Sequence, residues 1–300
     1  MAGSRAIARA AAPAAAAVIV LLTLPSPAAP TPPGRNGLIA FVAPAGGVRV
    51  VRPDGSGLRK LTRDRRDHSP AWSSDGRRLA FQRAGDLYSI GSGGTGLVRL
   101  THGRAVDGQP AWSPDGRSIA FVRNGNLWLM GSGGDGARPL YVDGRANRPS
   151  WSPDGRRIAF GLSSLDDRGS IVVIARAGGA VRYLTDGRDE PAEDAPVEEW
   201  AEDQAPDWSP DGTSIAFTRK VWLCPRCDQN VVFSVSPRLA AVRWLTTDTS
   251  YTASRPSWSP DGRRFVATTN EGIALFTADG GRIRNLVRLA TEPVWQPRPR

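Results

Sequence analysis

Short runs in which apolar and polar side chains alternate recur along most of this 300-residue chain. Asp86-Leu87-Tyr88-Ser89-Ile90 and Asn126-Leu127-Trp128-Leu129-Met130 are the clearest. Alternation belongs to strands, whose successive side chains point to opposite faces. An apolar run such as Ile119-Ala120-Phe121 precedes each, and a Gly-rich turn follows. A last run then ends in Leu-Thr, at Leu61-Thr62, Leu100-Thr101, Leu184-Thr185 and Leu245-Thr246. The pattern predicts four short strands per unit, separated by turn chemistry.

One phrase sets the unit. Pro110 to Phe121 reads P-A-W-S-P-D-G-R-S-I-A-F, and it returns at Pro70 to Phe81, Pro149 to Phe160, Pro206 to Phe217 and Pro256 to Ala267, with a broken copy at Pro293. Pro114 presets φ for a tight turn, Asp115 can hydrogen-bond its own backbone, and Gly116 accepts a positive φ, so the phrase predicts a hairpin. The repeated Asp75, Asp115, Asp154, Asp211 and Asp261 therefore read as turn residues; a group needed once for chemistry would not stand identically in successive hairpins. The repeat Trp spacings from Trp72 through Trp112, Trp151, Trp208 and Trp258 to Trp295 are 40, 39, 57, 50 and 37 residues. Six such units predict an all-β fold, a six-bladed β-propeller. The last copy stops after one strand, and Gly34 to Phe41 supplies the half it lacks. Pairing of the N-terminal strands with the C-terminal strand is expected to close the ring without a long exposed edge.

These W-S-P-D-G repeats resemble the TolB-like β-propellers, over residues of about 37 to 297. The resemblance implies a β-propeller built of WD-like repeats. TolB proteins also carry a small α/β domain ahead of the propeller. The stretch from Pro25 to Leu38 is too short for one, so a Tol–Pal role is not among the expectations.

The formal net charge is +10. Lys60 and Lys220 are the only lysines, so the charge is nearly all Arg, alongside heavy Ala, Gly and Pro use of the kind GC-rich coding produces. The arginines form no run interleaved with aromatics, and nucleic acid is not an expected partner. Residues 1–29 read as a secretory signal peptide: Arg5 and Arg9, an apolar stretch from Ala10 to Leu24, and a small-residue region at Ser26-Pro27-Ala28-Ala29. That stretch falls short of the roughly 20 apolar residues that span a bilayer. Cleavage near Ala28 or Ala29 would leave no membrane span; retention would leave an N-terminal anchor. Residues 30–36 form a Pro-rich lead-in, and 37–297 the propeller domain.

An acidic insertion occupies 186–207. It holds ten acids and one Arg, a formal charge of −9 that leaves the rest of the chain at +19. Asp189, Glu190, Glu193, Asp194, Glu198, Glu199, Glu202 and Asp203 are its candidate contacts for a basic partner. Cys224 and Cys227, the only cysteines, read first as a disulfide; a zinc site would need two further ligands, and a redox pair would want a βαβ setting. Insertion, Cys loop and Ser163 to Gly169 are expected to crown one face, and loops on a rigid scaffold commonly carry function. The literal G-x-G-x-x-G at Gly91 to Gly96 recurs at Gly131 to Gly136 before a strand pattern, so it reads as a hairpin turn rather than a dinucleotide site.

Residues ahead of each Pro-x-Trp should rim a central channel: His68, Gln109, Arg148, Gln204, Arg255 and Glu292. Unlike polar groups in a ring suit an asymmetric ligand. The sequence shows no nucleophile with its base, no metal cluster and no paired carboxylates. The expected function is an exported, non-catalytic binding or scaffold protein of the cell envelope. It would be a monomer without metal or cofactor, recognising a protein segment or envelope polymer on its loop-decorated face. The alternative is a secreted lyase or hydrolase using the polar residues of the channel mouth.

Overall fold

A computed structural model describes residues 37–163, 169–186, 202–224, 227–246 and 250–297. These are all strand, turn and loop, with no helix among them, and so none long and apolar enough to cross a membrane. The strands, in chain order, are β1 (Ile39–Val42), β2 (Val48–Val51) and β3 (Arg59–Lys60); β4 (Asp67–Trp72), β5 (Arg78–Arg83), β6 (Asp86–Gly91) and β7 (Val98–Arg99); β8 (Asp107–Trp112), β9 (Ser118–Arg123), β10 (Asn126–Gly131) and β11 (Arg138–Tyr141); β12 (Ala146–Trp151), β13 (Arg157–Ser163), β14 (Gly169–Ala175) and β15 (Arg182–Tyr183); β16 (Glu202–Trp208), β17 (Ile215–Cys224), β18 (Cys227–Val235) and β19 (Val242–Trp244); β20 (Ala253–Trp258), β21 (Arg264–Thr269), β22 (Gly272–Thr277) and β23 (Arg282–Arg288); and β24 (Thr291–Trp295).

Each group of four is an antiparallel quartet in sequence order. The three opening strands take β24 as their fourth, in the order β24-β1-β2-β3, with Ile39 opposite Trp295 and Ala40 opposite Val294. Quartets β12–β15 and β16–β19 are fused into one eight-stranded sheet by a single parallel bridge, Gly169 to Glu202.

The repeated turn satisfies itself. Asp75, Asp115, Asp154, Asp211 and Asp261 each accept the hydroxyl of the Ser two residues earlier at 2.5–2.6 Å. The same oxygen accepts the backbone N–H two residues later at 3.0 Å. These aspartates are structural, as their repetition implied. The Leu-Thr ending has an equally local cause. Thr62, Thr101, Thr185 and Thr246 accept the N–H groups of Val48, Leu87, Ile171 and Val232 at 2.9–3.0 Å, while the Leu beside each Thr is buried. The Gly91 to Gly96 segment is the hairpin between β6 and β7, with Gly91 N–H donating to Thr95 C=O. In its counterpart a Cβ on Gly134, at φ +96°, would lie 2.3 Å from the Leu100 carbonyl oxygen.

Apolar faces join one quartet to the next. Ala40, Val48 and Val50 pack with Trp72, Leu79 and Phe81; Leu87 and Leu100 with Ile119 and Phe121; Leu127 and Leu129 with Trp151 and Phe160. Ile171 and Leu184 meet Trp208 and Phe217, Val232 and Leu245 meet Trp258 and Phe265, and Val266 and Leu275 meet Ile39 and Phe41.

Three ion pairs with buried carboxylates recur at a fixed separation of 16 residues. Arg83, Arg123 and Arg219 grip Asp67, Asp107 and Asp203 through two charge-assisted bonds each, at 2.5–2.9 Å. The three guanidiniums also lie over aromatic rings, at 4.7–5.5 Å from the centroids. Asp203 is thus a correction to the sequence reading: 1% exposed and bound to Arg219, it cannot meet a partner. Glu202 is half-buried at the start of β16. The remaining candidate acids, Asp189 to Glu199, lie outside the described residues. So do the side chains of Cys224 and Cys227, whose backbones pair across the β17–β18 hairpin.

Candidate functional site

The first strand of every quartet, namely β4, β8, β12, β16, β20 and β24, borders one cavity of about 550 Å³. Its wall is built from the six Pro-x-Trp segments and the prolines or serines of the turns that follow. The residue before Pro and the residue after it both line this space.

The residue before Pro has an unusual backbone. Ser69, Gln109, Arg148, Ala205, Arg255 and Glu292 all have positive φ, between 43° and 54°. An L-residue other than Gly or Asn rarely adopts that conformation, which costs roughly 1–3 kcal/mol and persists only where the surroundings enforce it. Here a bulge enforces it: register against the second strand shifts at this point in every quartet. The freed N–H is then used between quartets. Arg148 N–H donates to Gln109 Oε1 at 2.6 Å, Arg255 N–H to Thr218 Oγ1 at 2.8 Å, Glu292 N–H to Thr268 Oγ1 at 3.2 Å, and Ser69 N–H to Glu292 Oε2 at 2.5 Å.

The cavity lining corrects two of the six expected rim residues. Gln109, Arg148, Arg255 and Glu292 line the cavity, whereas His68 and Gln204 stand one place too early; Ser69 and Ala205 take the equivalent positions. His68 instead places Nδ1 3.2 Å from Ser69 Oγ.

Three of the lining residues form a charged trio. Glu292 Oε1 accepts from Arg255 Nη1 at 2.5 Å and from Arg148 Nη2 at 3.3 Å. Burial raises the Glu292 pKa, but the two guanidiniums and the Ser69 N–H outweigh it and hold the carboxyl below its ordinary value. Arg148, brought down to about 10 by burial and then by the nearby Arg255 charge, stays protonated at neutral pH. The trio therefore carries two positive charges and one negative.

The position after Pro holds Ala71, Ala111, Ser150, Asp207, Ser257 and Val294. Asp207 is the one charged member, and the sequence reading absorbed it into the acidic insertion. Its place in the Pro-x-Trp alignment was the signal that could have found it. Its Oδ2 accepts Trp258 N–H at 2.8 Å and its Oδ1 accepts Ser150 Oγ at 3.3 Å. Burial nonetheless pushes its pKa up to about 7.

Where the links go is also visible. Asp107 N–H, at the entry to β8, donates to Gly85 C=O in the β5–β6 turn, and Ala146 N–H, at the entry to β12, to Gly125 C=O in the β9–β10 turn. The link into each of these inner strands thus sits on the middle loop of the quartet before it. The Gly169–Glu202 bridge sets the end of the acidic segment beside the start of β14 in the same way. Among the described residues no group of three or more His, Cys, Asp or Glu side chains is placed to hold a metal ion.

Residues 55–196 match the family described as the TolB beta propeller domain. No curated protein sequence matches the chain. Among solved structures, TolB from Acinetobacter baumannii superposes with a TM-score of 0.69 at 23% identity; the match covers 87% of this chain and 66% of that one. A protein named as a TolB from Agrobacterium tumefaciens gives 0.67 at 21% identity, covering 85% of this chain and 89% of that one. The oligogalacturonate lyase of Vibrio parahaemolyticus gives 0.56 at 11%, covering 84% and 79%. Likeness at these identities is a statement about fold, and one fold serves unlike functions. Repeat phrase, strand order and the match over residues 55–196 agree: that stretch is similar to the TolB beta propeller domain, and the described chain resembles TolB propellers in fold.

Proposed function

We propose that this chain is an exported, non-catalytic binding propeller of the cell envelope, its six quartets closed in a ring about the cavity. On this reading residues 1–29 are its signal peptide. It recognises an extended polypeptide segment at the face where the inner-strand links and middle loops meet. The observation that carries the reading is the asymmetry of the cavity. Six equivalent positions hold Ser69, Gln109, Arg148, Ala205, Arg255 and Glu292, so the repeat scaffold presents a different group from nearly every quartet. Apolar Pro and Trp walls with a few convergent polar groups are the usual make-up of a ligand site. Packing of every quartet on the next, the last on the first included, supports the closed ring.

The acidic insertion enters beside this face and supplies selectivity for a basic stretch of the partner, with Asp203 left out of that role. The test replaces 187–201 by a four-residue turn. Melting temperature should be unchanged, and a partner polypeptide co-purified from an envelope extract should be lost. Retained capture overturns the role of the face, and turnover of a peptide or polysaccharide library, abolished by changing Glu292, would replace binding by catalysis.

A further inference from the structure

The trio at the cavity has more positive charge and more hydrogen-bond donors than its own carboxylate can use. A guanidinium offers five N–H groups. Among the described residues the side chains of Arg148 and Arg255 each spend a single donor, and both spend it on the same oxygen, Glu292 Oε1. Arg148 lies in the fourth quartet along the chain and Glu292 in the one that contains both ends of the described chain, so the pair links sheets far apart in sequence. Both arginines are held from the backbone side as well. Each has positive φ, and the N–H of each is fixed to a neighbouring quartet. Their side chains are 21% and 37% exposed, that of Glu292 12%. Two partly desolvated guanidiniums in fixed positions, with one shared counter-charge, form an incomplete anion site. A carboxylate would accept two parallel bonds from either fork, in a setting where charge-assisted bonds are stronger than in water.

We propose that Arg148 and Arg255 bind a carboxylate of the recognised polypeptide inside this cavity, and that Glu292 occupies part of the same donor set when no ligand is bound. This rests on the binding role assigned above and names its chemistry. The carboxylate has two sources, a chain terminus or an acidic side chain. Glu292 competes with the incoming group for Arg donors, so its charge sets the affinity.

The probes are the acetylated tripeptide Ala-Ala-Ala with a free C-terminus, its C-terminal amide, and the amide of acetyl-Ala-Glu-Ala, titrated into the full chain with Trp fluorescence and calorimetry as readouts. At least one of the two carboxylate-bearing peptides should bind about tenfold or more tightly than the neutral amide, and which one does so identifies the source. Arg148→Gln and Arg255→Gln should each remove that preference, whereas Glu292→Gln, which keeps an acceptor for Ser69 N–H, should strengthen it. A purely structural trio would move all three variants in the same direction. Melting curves of the variants confirm that each is folded before its affinity is read. Equal binding of all three peptides, no binding of any, or weakening by Glu292→Gln overturns the carboxylate site. These results leave the binding role itself standing if envelope capture still depends on the 187–201 segment.

Discussion

Asp207 stands where the other inner strands carry Ala, Ser or Val, and the fold holds it so that its charge is unwelcome. Burial raises its pKa to about 7, against the pull of the Trp258 N–H and the Ser150 hydroxyl. In the unfolded chain the same carboxyl titrates near 3.8. Between those values the folded state retains a proton that the unfolded state has released, so stability falls as pH rises through this window. A tenfold difference in proton affinity is worth about 1.4 kcal/mol, so the loss above pH 7 is at most about 4 kcal/mol. Asp207→Asn keeps one acceptor for Trp258 N–H and can donate its amide N–H to Ser150 Oγ, without a charge. It should have little effect at pH 4 and raise the urea midpoint at pH 7.5, so the difference between variant and parent grows with pH. A difference that does not change between the two pH values would show that Asp207 titrates normally. Asp203, four residues earlier, is likewise raised by burial, but it is gripped on both oxygens by Arg219. The distinction was legible: Asp67 and Asp107 precede their own arginines by the same 16 residues.

At the scale of the strand, the outer end of the ladder in four quartets adds a side-chain bond to its backbone one. Thr101 Oγ1 accepts Leu87 N–H at 2.9 Å in the interior, where the amide has no water. Thr101→Val preserves shape and apolar burial but strands that donor, which should cost about 1–3 kcal/mol. Thr101→Ser, which restores the hydroxyl, should recover most of it, and urea unfolding of the two variants checks the pair. Equal stability of Val and Ser variants would mean that the Leu-Thr ending matters only for its Leu. Elements of this kind could be read from sequence because their chemistry is local: Ser, Pro, Asp and Gly lie within four residues, Leu and Thr within two. The bulge before each Pro could not. It depends on the register against the second strand, whereas the misplacing of His68 and Gln204 was one of alignment: Ser69 and Ala205 stand directly before their prolines, as Gln109, Arg148, Arg255 and Glu292 do. The Arg148–Glu292 contact joins residues 144 apart, and no spacing in the chain announces it.

The whole molecule depends on how its two ends meet. β24 is the inner strand of a sheet whose other three strands open the described chain, and the residues after it extend the join. Gln296 N–H donates to Leu38 C=O at 2.7 Å, its side-chain Oε1 accepts Leu38 N–H at 2.8 Å, and its Nε2 donates to Gly76 C=O in the next quartet at 2.6 Å. Trp295 is 4% exposed and packs with Ile39, Phe41 and Val266. If the quartets close a ring, this junction bears on every blade, because an open ring leaves β1 as an unpaired edge and uncovers apolar surface on both sides of the gap. Ending the chain after Glu292 removes Trp295 and Gln296 together. Loss of the Trp alone corresponds to about 3–5 kcal/mol, which for a domain of this size lowers the melting temperature by roughly 10 °C. The truncated protein should also unfold in one transition at the lower temperature, since the remaining quartets lose their shared closure. A melting temperature equal to that of the full chain, or a separate early transition that leaves the main one in place, would show that the first quartet docks on a ring already stable without it. Gln296→Ala then separates packing from hydrogen bonding, with a smaller fall expected because Trp295 keeps its place against Ile39.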